Sequence, residues 1–183
     1  TTEIYTLSLH DALPICAAGG EALKTYTLTF GKDFSDAKVN GYTETWDATR
    51  DGFTWEMASW NNNNAYVGTN PKKTTNWTYV RAGRKKAASV ATITTKTAMP
   101  EAISTVTMTI DKIITASVNS IKMEVISATG ATIETISGTA KQGPCVFKVT
   151  KPQNNCKYKI IVDCKQGSSN GLVQVSKVVY TNN

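Results

Sequence analysis

Apolar and polar side chains alternate with a period close to two along most of this chain. In residues 25–30, Tyr26, Leu28 and Phe30 alternate with threonines, and similar stretches recur as far as residue 180. Successive side chains of a strand point to opposite faces, so this period predicts strands that bury one face. No stretch has the period of an amphipathic helix, and the sequence therefore predicts an all-β chain.

Turn-forming residues divide these stretches into about ten short strands. The predicted strands cover residues 25–30, 53–57, 77–81, 90–95, 105–110, 121–125, 132–137, 145–149, 158–162 and 172–180. Many short strands separated by turns, with almost no helix, are typical of two packed antiparallel sheets. We therefore predict a two-sheet antiparallel β-sandwich of jelly-roll type. Strands that alternated with long helices would have indicated a parallel α/β sheet instead.

Residues 1–15 do not continue the alternating pattern. Their sequence, TTEIYTLSLHDALPI, resembles a translated sequencing-adapter fragment, so we interpret them as an artefactual, non-native segment outside the fold. Residues 16–24 contain Ala and Gly and are interpreted as a linker. Residues 25–183 are predicted to form a single β-sandwich domain, which suits their length. The chain does not begin with Met, which suggests a fragment or a processed product. If residues 1–15 are artefactual, we expect that the true N-terminus and any export signal have been lost.

The chain is basic, with a formal net charge of +6 at pH 7 and a pI of about 9.1. A basic balance favours acidic partners, such as nucleic acid, anionic polysaccharide or a membrane surface. Lysines on exposed strands explain the same charge without a ligand, because edge charges prevent aggregation between sheets. The densest basic cluster consists of Arg81, Arg84, Lys85 and Lys86. No apolar run is long enough for a transmembrane helix, so we expect no membrane insertion.

The predicted domain contains Cys145, Cys156 and Cys164. Cys156 and Cys164 lie at the two ends of one predicted strand, roughly 26 Å apart, whereas a disulfide needs Cα atoms within about 7 Å. Antiparallel pairing of that strand with the preceding one would place Cys145 opposite Cys164. This arrangement allows a disulfide, but two buried thiols that pack as small apolar groups are the favoured interpretation. The cysteine spacing does not indicate a zinc site.

Catalytic chemistry has little support in these residues. The only histidine, His10, lies in the segment that we interpret as artefactual, so no Ser/His/Asp or Cys/His arrangement remains. Carboxylates are numerous, and a hydrolase with two of them facing across a cleft stays open, but the sequence singles out no pair. We therefore predict that the protein is not an enzyme.

One loop has residues that suit calcium. Asp33, Asp36 and Asn40 follow the first predicted strand, and carboxylate and carbonyl oxygens are the ligands that Ca²⁺ prefers. Asp and Asn also favour turns without any metal. The expected cofactor is therefore none, with Ca²⁺ at these residues as the alternative.

Aromatic residues are concentrated between residues 46 and 86. All the tryptophans of the chain lie in this segment: Trp46, Trp55, Trp60 and Trp77. Arg side chains and a run of asparagines at 61–64 accompany them. A sugar stacks its apolar face on an aromatic ring while amides and guanidinium groups bond its hydroxyl groups. This composition therefore suits a carbohydrate ligand.

The tryptophans do not all suit a ligand-binding face. Trp55 alternates with Phe53 and Met57 and is predicted to belong to the core. Trp46 and Trp60 are flanked by polar residues and are predicted to be exposed. The predicted ligand-binding residues are Trp46, Trp60, Asn62, Tyr79, Arg81 and Arg84. The same side chains would also stack on nucleic-acid bases, but a sandwich of secreted type makes that partner less favoured, and we expect no nucleic acid.

Two long segments, residues 60–95 and 105–180, resemble a domain of extracellular proteins from gut Bacteroidota and their phages. The resemblance rests on WNNNN, NWTYVRAGRKKAASVATITT, ISTVTMTIDKI, SIKMEV and KYKIIVDCKQGSSNGLVQVSKVVY. It implies a β-sandwich accessory domain, similar to a carbohydrate-binding module, beside other domains of a secreted or cell-surface protein. It brings no catalytic residues.

These observations lead to two hypotheses. The first is a non-catalytic carbohydrate-binding or adhesion module of a secreted or cell-surface protein, with a glycan or surface polysaccharide as its partner. The second is a structural or spacer domain of a surface or phage protein, with no small ligand. A spacer domain is expected to bury its aromatic side chains and to have no concave polar face, and this expectation separates the two hypotheses.

Overall fold

The computed structural model describes residues 23–30, 41–62 and 78–182 of this chain. Within these ranges the backbone forms eleven strands and one short 3-10 turn at Thr115–Ser117. The strands are β1 (Thr25–Thr29), β2 (Thr45–Arg50), β3 (Phe53–Ala58), β4 (Val80–Ala82), β5 (Ser89–Thr95), β6 (Thr105–Ile113), β7 (Val118–Ile126), β8 (Thr132–Ser137), β9 (Gly143–Lys148), β10 (Lys157–Cys164) and β11 (Val173–Thr181). Residues 1–22, with the predicted artefactual segment and most of the predicted linker, lie outside the described residues.

The strands form two antiparallel sheets packed together, which confirms the predicted all-β sandwich. The first sheet has the order β1-β11-β6-β9, and β4 also pairs with β11. The second sheet has the order β2-β3-β5-β10-β7-β8. Between β4 and β11, every connection except the one from β7 to β8 passes from one sheet to the other. The jelly-roll subtype stays a prediction.

Each sheet buries one face because its strands keep the predicted alternation. In β6, Val106, Met108 and Ile110 are buried, and the threonines between them point to the other face. The largest fully buried side chains include Trp55, Trp60, Tyr158, Tyr180 and Phe147. Burial of each such side chain contributes on the order of 2 kcal/mol, so the layer between the sheets is the main source of stability.

The sequence pattern did not predict β2, whose residues read as a polar stretch. Trp46, Ala48 and Arg50 are nevertheless buried, and the residues between them are exposed. Arg50 concealed the alternation because a charged side chain is rarely buried without a partner. Here its guanidinium group donates hydrogen bonds to the carbonyl oxygens of Thr29 (2.6 Å) and Thr49 (2.7 Å), which makes the burial tolerable.

The predicted antiparallel pairing of the strand of Cys145 with the strand of Cys164 is wrong, because the two strands lie in different sheets. β9 pairs with β6, which places Cys145 opposite Met108. β10 lies between β5 and β7 in the second sheet. After β9, the main-chain N–H of Val149 bonds to the carbonyl oxygen of Ser104 (2.8 Å), just before β6. This contact continues the pairing of β9 with β6 by one residue pair, and the chain reaches the second sheet only after it.

Cys145, Cys156 and Cys164 are buried free thiols. Burial raises the pKa of the Cys164 thiol to about 11, and the neighbouring Asp163 carboxylate adds to the shift. Desolvation likewise raises the pKa of Cys145 and of Cys156. At neutral pH these groups are therefore protonated and pack as small apolar side chains.

Two neighbouring valines on β11 test which face is buried. Val178 is fully buried, whereas Val179 points to the opposite face and is partly exposed. We expect Val178→Ala to lower the free energy of unfolding by about 2 to 3 kcal/mol, and Val179→Ala by about 1 kcal/mol or less. Urea denaturation of both variants measures the difference. Equal losses would contradict the assignment of the two faces.

The buried thiols predict slow chemical modification. We expect iodoacetamide to label Cys145, Cys156 and Cys164 at least about tenfold more slowly in the folded protein than in urea, since buried, protonated thiols are poor nucleophiles. Peptide mass spectrometry at successive times locates the label at each position. If Cys164 reacted equally fast with and without urea, its burial would be disproved.

Candidate functional site

Trp46 and Trp60, predicted to be exposed, are buried instead. Trp60 is 0% exposed and Trp46 is 9% exposed. Trp46 lies on the inward face of β2, and its indole N–H donates a hydrogen bond to the main-chain carbonyl oxygen of Trp60 (2.9 Å). Polar neighbours along the sequence were a misleading signal, because adjacent residues of a strand point to opposite faces. In this structure neither ring offers a platform on which a sugar can stack.

Of the other predicted site residues, some are buried and some lie outside the described residues. Asn62 is only 2% exposed, so its amide group does not form an open ligand surface. Trp77 lies outside the described residues, and so do the predicted calcium ligands, Asp33, Asp36 and Asn40. Among the residues that are described, no group of three or more His, Cys, Asp or Glu side chains is placed to hold a metal ion.

A concave recess of about 290 Å³ lies at the end of the sandwich where β4 leads to β5 and β10 leads to β11. The described residues that line it are Tyr42, Thr43, Arg84, Lys85, Lys86 and Asn170. We call this feature the basic recess. Its volume is close to the lower limit of about 300 Å³ for ordinary ligand sites. A site of this size suits a terminal group or a short segment of a larger molecule.

Pairing between β4 and β11 brings the two main walls of the basic recess together. The register places Ala82 opposite Val173, so residues 83–86 and 167–171 leave the sheet side by side. Three hydrogen bonds then join these two segments. They run from Gly171 N–H to Gly83 O (2.9 Å), from Gly167 N–H to Arg84 O (3.0 Å) and from Lys85 N–H to Asn170 Oδ1 (2.8 Å). The basic side chains therefore extend from a fixed backbone.

Glycine is required at two positions of these walls. Gly83 has φ +91° and Gly171 has φ +75°, in the left-handed region that other residues rarely adopt. A Cβ atom at Gly83 would also lie 2.6 Å from the side chain of Leu172. At Gly171 it would lie 3.0 Å from the Cδ atom of Arg81. Glycine at these positions therefore permits the close approach of the two segments.

Tyr42 lines the basic recess, and its hydroxyl group is buried. Within the described residues this hydroxyl makes no hydrogen bond. Desolvation raises the pKa of Tyr42, the nearby charge of Arg81 opposes the shift, and Tyr79 adds to it. Arg81 is itself held by Asn61, because its Nη2 atom donates to Asn61 Oδ1 (3.0 Å). The hydroxyl oxygen has almost no accessible surface, and a Cβ atom built on Gly171 would lie 3.2 Å from it, so the hydroxyl packs against Gly171 and is closed to a ligand in this structure.

The described lining of the basic recess is cationic and includes no carboxylate. Arg84, Lys85 and Lys86 make no ion pair with any residue that the structure describes. Other lysines do: the ion pairs include Lys24 with Glu101 (3.3 Å), Lys96 with Asp47 (2.8 Å), and Lys122 and Lys159 with Glu124 (4.0 and 3.8 Å). The positive charge of the basic recess is thus directed to solvent or to a ligand.

The predicted ligand-binding residues are only partly brought together. Arg84 lines the basic recess, and Arg81 and Tyr79 are close enough to Tyr42 to affect its pKa. Trp46 and Trp60, in contrast, lie in the core. The lining residues that the pattern missed are Tyr42, Thr43 and Asn170. Asn170 bonds to a residue 85 positions away in the chain, a contact that no local pattern can reveal. The sequence held one signal that these segments could form a site: both connections, Gly83 to Lys86 and Gly167 to Gly171, are polar and contain glycine.

Comparison with protein-family models and with curated proteins gives no match to this chain. The likeness to accessory domains of extracellular proteins therefore stays a prediction. No helix among the described residues is long and apolar enough to cross a membrane. Assignment of a function accordingly depends on the geometry of the basic recess.

Burial of Trp60 changes what its substitution is expected to do. Since the ring is fully buried, we expect Trp60→Ala to lower the free energy of unfolding by about 3 to 5 kcal/mol. Trp60→Phe, which keeps most of the apolar volume, should cost clearly less. Guanidinium denaturation monitored by circular dichroism measures both losses. A Trp60→Ala variant as stable as the wild type would show that the ring is exposed, as the sequence pattern suggested.

Proposed function

We propose that this domain is a non-catalytic carbohydrate-binding or adhesion module of a secreted or cell-surface protein, with its ligand in the basic recess. The observation that carries the proposal is a concave polar lining on a backbone that hydrogen bonds hold in place. Ligand sites are typically concave, with a few polar groups at fixed positions. The resemblance to accessory domains of extracellular proteins agrees with this assignment.

The lining residues have the chemistry that a sugar requires. Asn170 uses its Oδ1 atom to accept a hydrogen bond from the main chain of Lys85 (2.8 Å), so its amide N–H groups can point to a ligand. Thr43 is exposed and has a hydroxyl group that both donates and accepts. Tyr42 adds an aromatic ring at the same site. Together these groups can bond the hydroxyls of a sugar and contact its apolar face.

Binding without catalysis is proposed because of the groups that line the basic recess. Its described lining includes neither carboxylate nor histidine, the side chains that supply most acid–base catalysis. The raised pKa of Tyr42 keeps this phenol protonated at neutral pH, so it does not act as a base.

A structural or spacer domain is the second candidate, and one observation favours it. The described tryptophans are buried, and the large apolar side chains exposed in the described residues are aliphatic: Leu23, Val90 and Val146. The surface that the structure describes therefore has no exposed tryptophan platform. The basic recess is the feature that a spacer domain does not require, and it favours the binding module.

A glycan array that includes neutral and acidic oligosaccharides tests the proposed function. We expect the wild-type chain to bind at least one class of glycan. Arg84→Ala should raise the dissociation constant by about tenfold or more, since an arginine that anchors a ligand commonly contributes this much. Isothermal titration with the best array ligand measures the change.

Lys148→Ala is the matched control, because Lys148 is an exposed cation on β9 that does not line the basic recess. We expect it to change the dissociation constant by less than about twofold. Binding that is insensitive to Arg84→Ala would place the ligand elsewhere on the domain. No binding to any glycan would reject the module and favour the spacer domain.

A further inference from the structure

We infer that the basic recess selects an acidic glycan, one whose sugars carry sulfate or carboxylate groups. This inference rests on the proposed function and names the ligand class of the same site. Its basis is the placement of Arg84, Lys85 and Lys86 around one concavity, on a backbone fixed to residues 167–171.

The charges of the basic recess are unbalanced within the described residues. Arg84, Lys85 and Lys86 follow one another in the chain and have no carboxylate partner there, whereas Lys96 bonds to Asp47 at 2.8 Å. Like charges that lie close together repel one another, and the repulsion grows where water is partly excluded. A bound anion relieves this repulsion, so the recess favours a negatively charged ligand over a neutral one.

The individual side chains suit the shape of an acidic group. Arg84 is partly buried, and its planar guanidinium can donate two parallel hydrogen bonds to a sulfate or a carboxylate. Lys85 and Lys86 are exposed and can follow the anionic groups of neighbouring sugars on flexible stems. Selectivity thus comes from Arg84 within the recess and affinity from the charges around it.

Arg81 extends the positive field behind the lining. Its charge acts on the Tyr42 hydroxyl and opposes the rise in the pKa of that group. A Cβ atom built on Gly171 would lie 3.0 Å from its Cδ atom, so Arg81 passes directly beneath the loop that carries Asn170. Because Asn61 fixes its guanidinium, Arg81 acts as a stationary charge.

An acidic glycan is favoured over nucleic acid by the form of the site. Proteins that bind single strands combine a long basic groove with exposed aromatic side chains on which successive bases stack. Here the cations surround one recess of about 290 Å³, and the described tryptophans are buried. The site therefore suits one or two acidic sugars of a polysaccharide better than the extended phosphate backbone of a nucleic acid.

The experiment compares four immobilised polymers by biolayer interferometry: dextran sulfate, polygalacturonate, neutral dextran and single-stranded DNA. We expect binding to dextran sulfate, to polygalacturonate or to both, and none to neutral dextran. Raising the salt from about 50 to about 500 mM should weaken the acidic complexes by about tenfold or more, since exposed charges are screened. Comparison of the two acidic polymers identifies sulfate or carboxylate as the preferred group.

Two triple variants with the same change in net charge provide the control. Arg84→Gln, Lys85→Gln and Lys86→Gln together remove the cations of the basic recess. Lys141→Gln, Lys148→Gln and Lys151→Gln remove exposed cations that do not line it. We expect the first set to weaken acidic binding by about tenfold or more and the second by less than about threefold. Thermal melts confirm that both variants fold, as expected for exposed or partly exposed positions.

The outcomes separate this inference from the proposed function. Salt-insensitive binding of a neutral glycan on the array would overturn the acidic selectivity and leave the module intact. Absence of all glycan binding would reject both. Equal weakening by the two triple variants would show that net charge acts without the basic recess. Tighter binding of single-stranded DNA than of either acidic polymer, at the same ionic strength, would overturn the inference in favour of nucleic acid.

Discussion

Burial of alternate side chains between two sheets is the constraint on which the rest of this structure depends. Each strand must present its apolar residues to one layer, and that layer takes in Trp46, Trp55 and Trp60. Threonines and lysines are left on the outer faces of the sheets. As a result, these three tryptophans stabilise the core and do not form a recognition surface. The proposed ligand site therefore lies in the connections at the ends of the strands, where the chain leaves the sheets.

The basic recess follows from the same constraint. β11 is an inner strand of the first sheet, and its start pairs with the short strand β4. That register aligns the connection after β4 with the connection before β11, although residues such as Lys85 and Asn170 are far apart in the chain. Hydrogen bonds and two glycines then hold the connections in contact. The sandwich core thus fixes the position of cations that have no role within the core.

Local patterns explain why the fold was largely predictable and the site only in part. Alternation located strands such as Thr132–Ser137 at their observed bounds, because it depends only on neighbouring residues. It failed for β2, where a hydrogen-bonded Arg50 faces inward, and for the partners of Cys145, because pairing depends on distant parts of the chain. The basic cluster was visible in the sequence. Tyr42 and Asn170 were not, since only the sheet register brings them to it.

Chemical-shift mapping by two-dimensional NMR tests the central claim most directly. The wild-type domain would be titrated with an acidic oligosaccharide while amide and indole N–H signals are recorded. If the basic recess is the ligand site, the shifts will concentrate at Thr43, Lys85, Lys86 and Asn170, and the indole signals of Trp46 and Trp60 will remain unchanged. Shifts spread over the outer faces of the sheets, or centred on those indoles, would contradict the account.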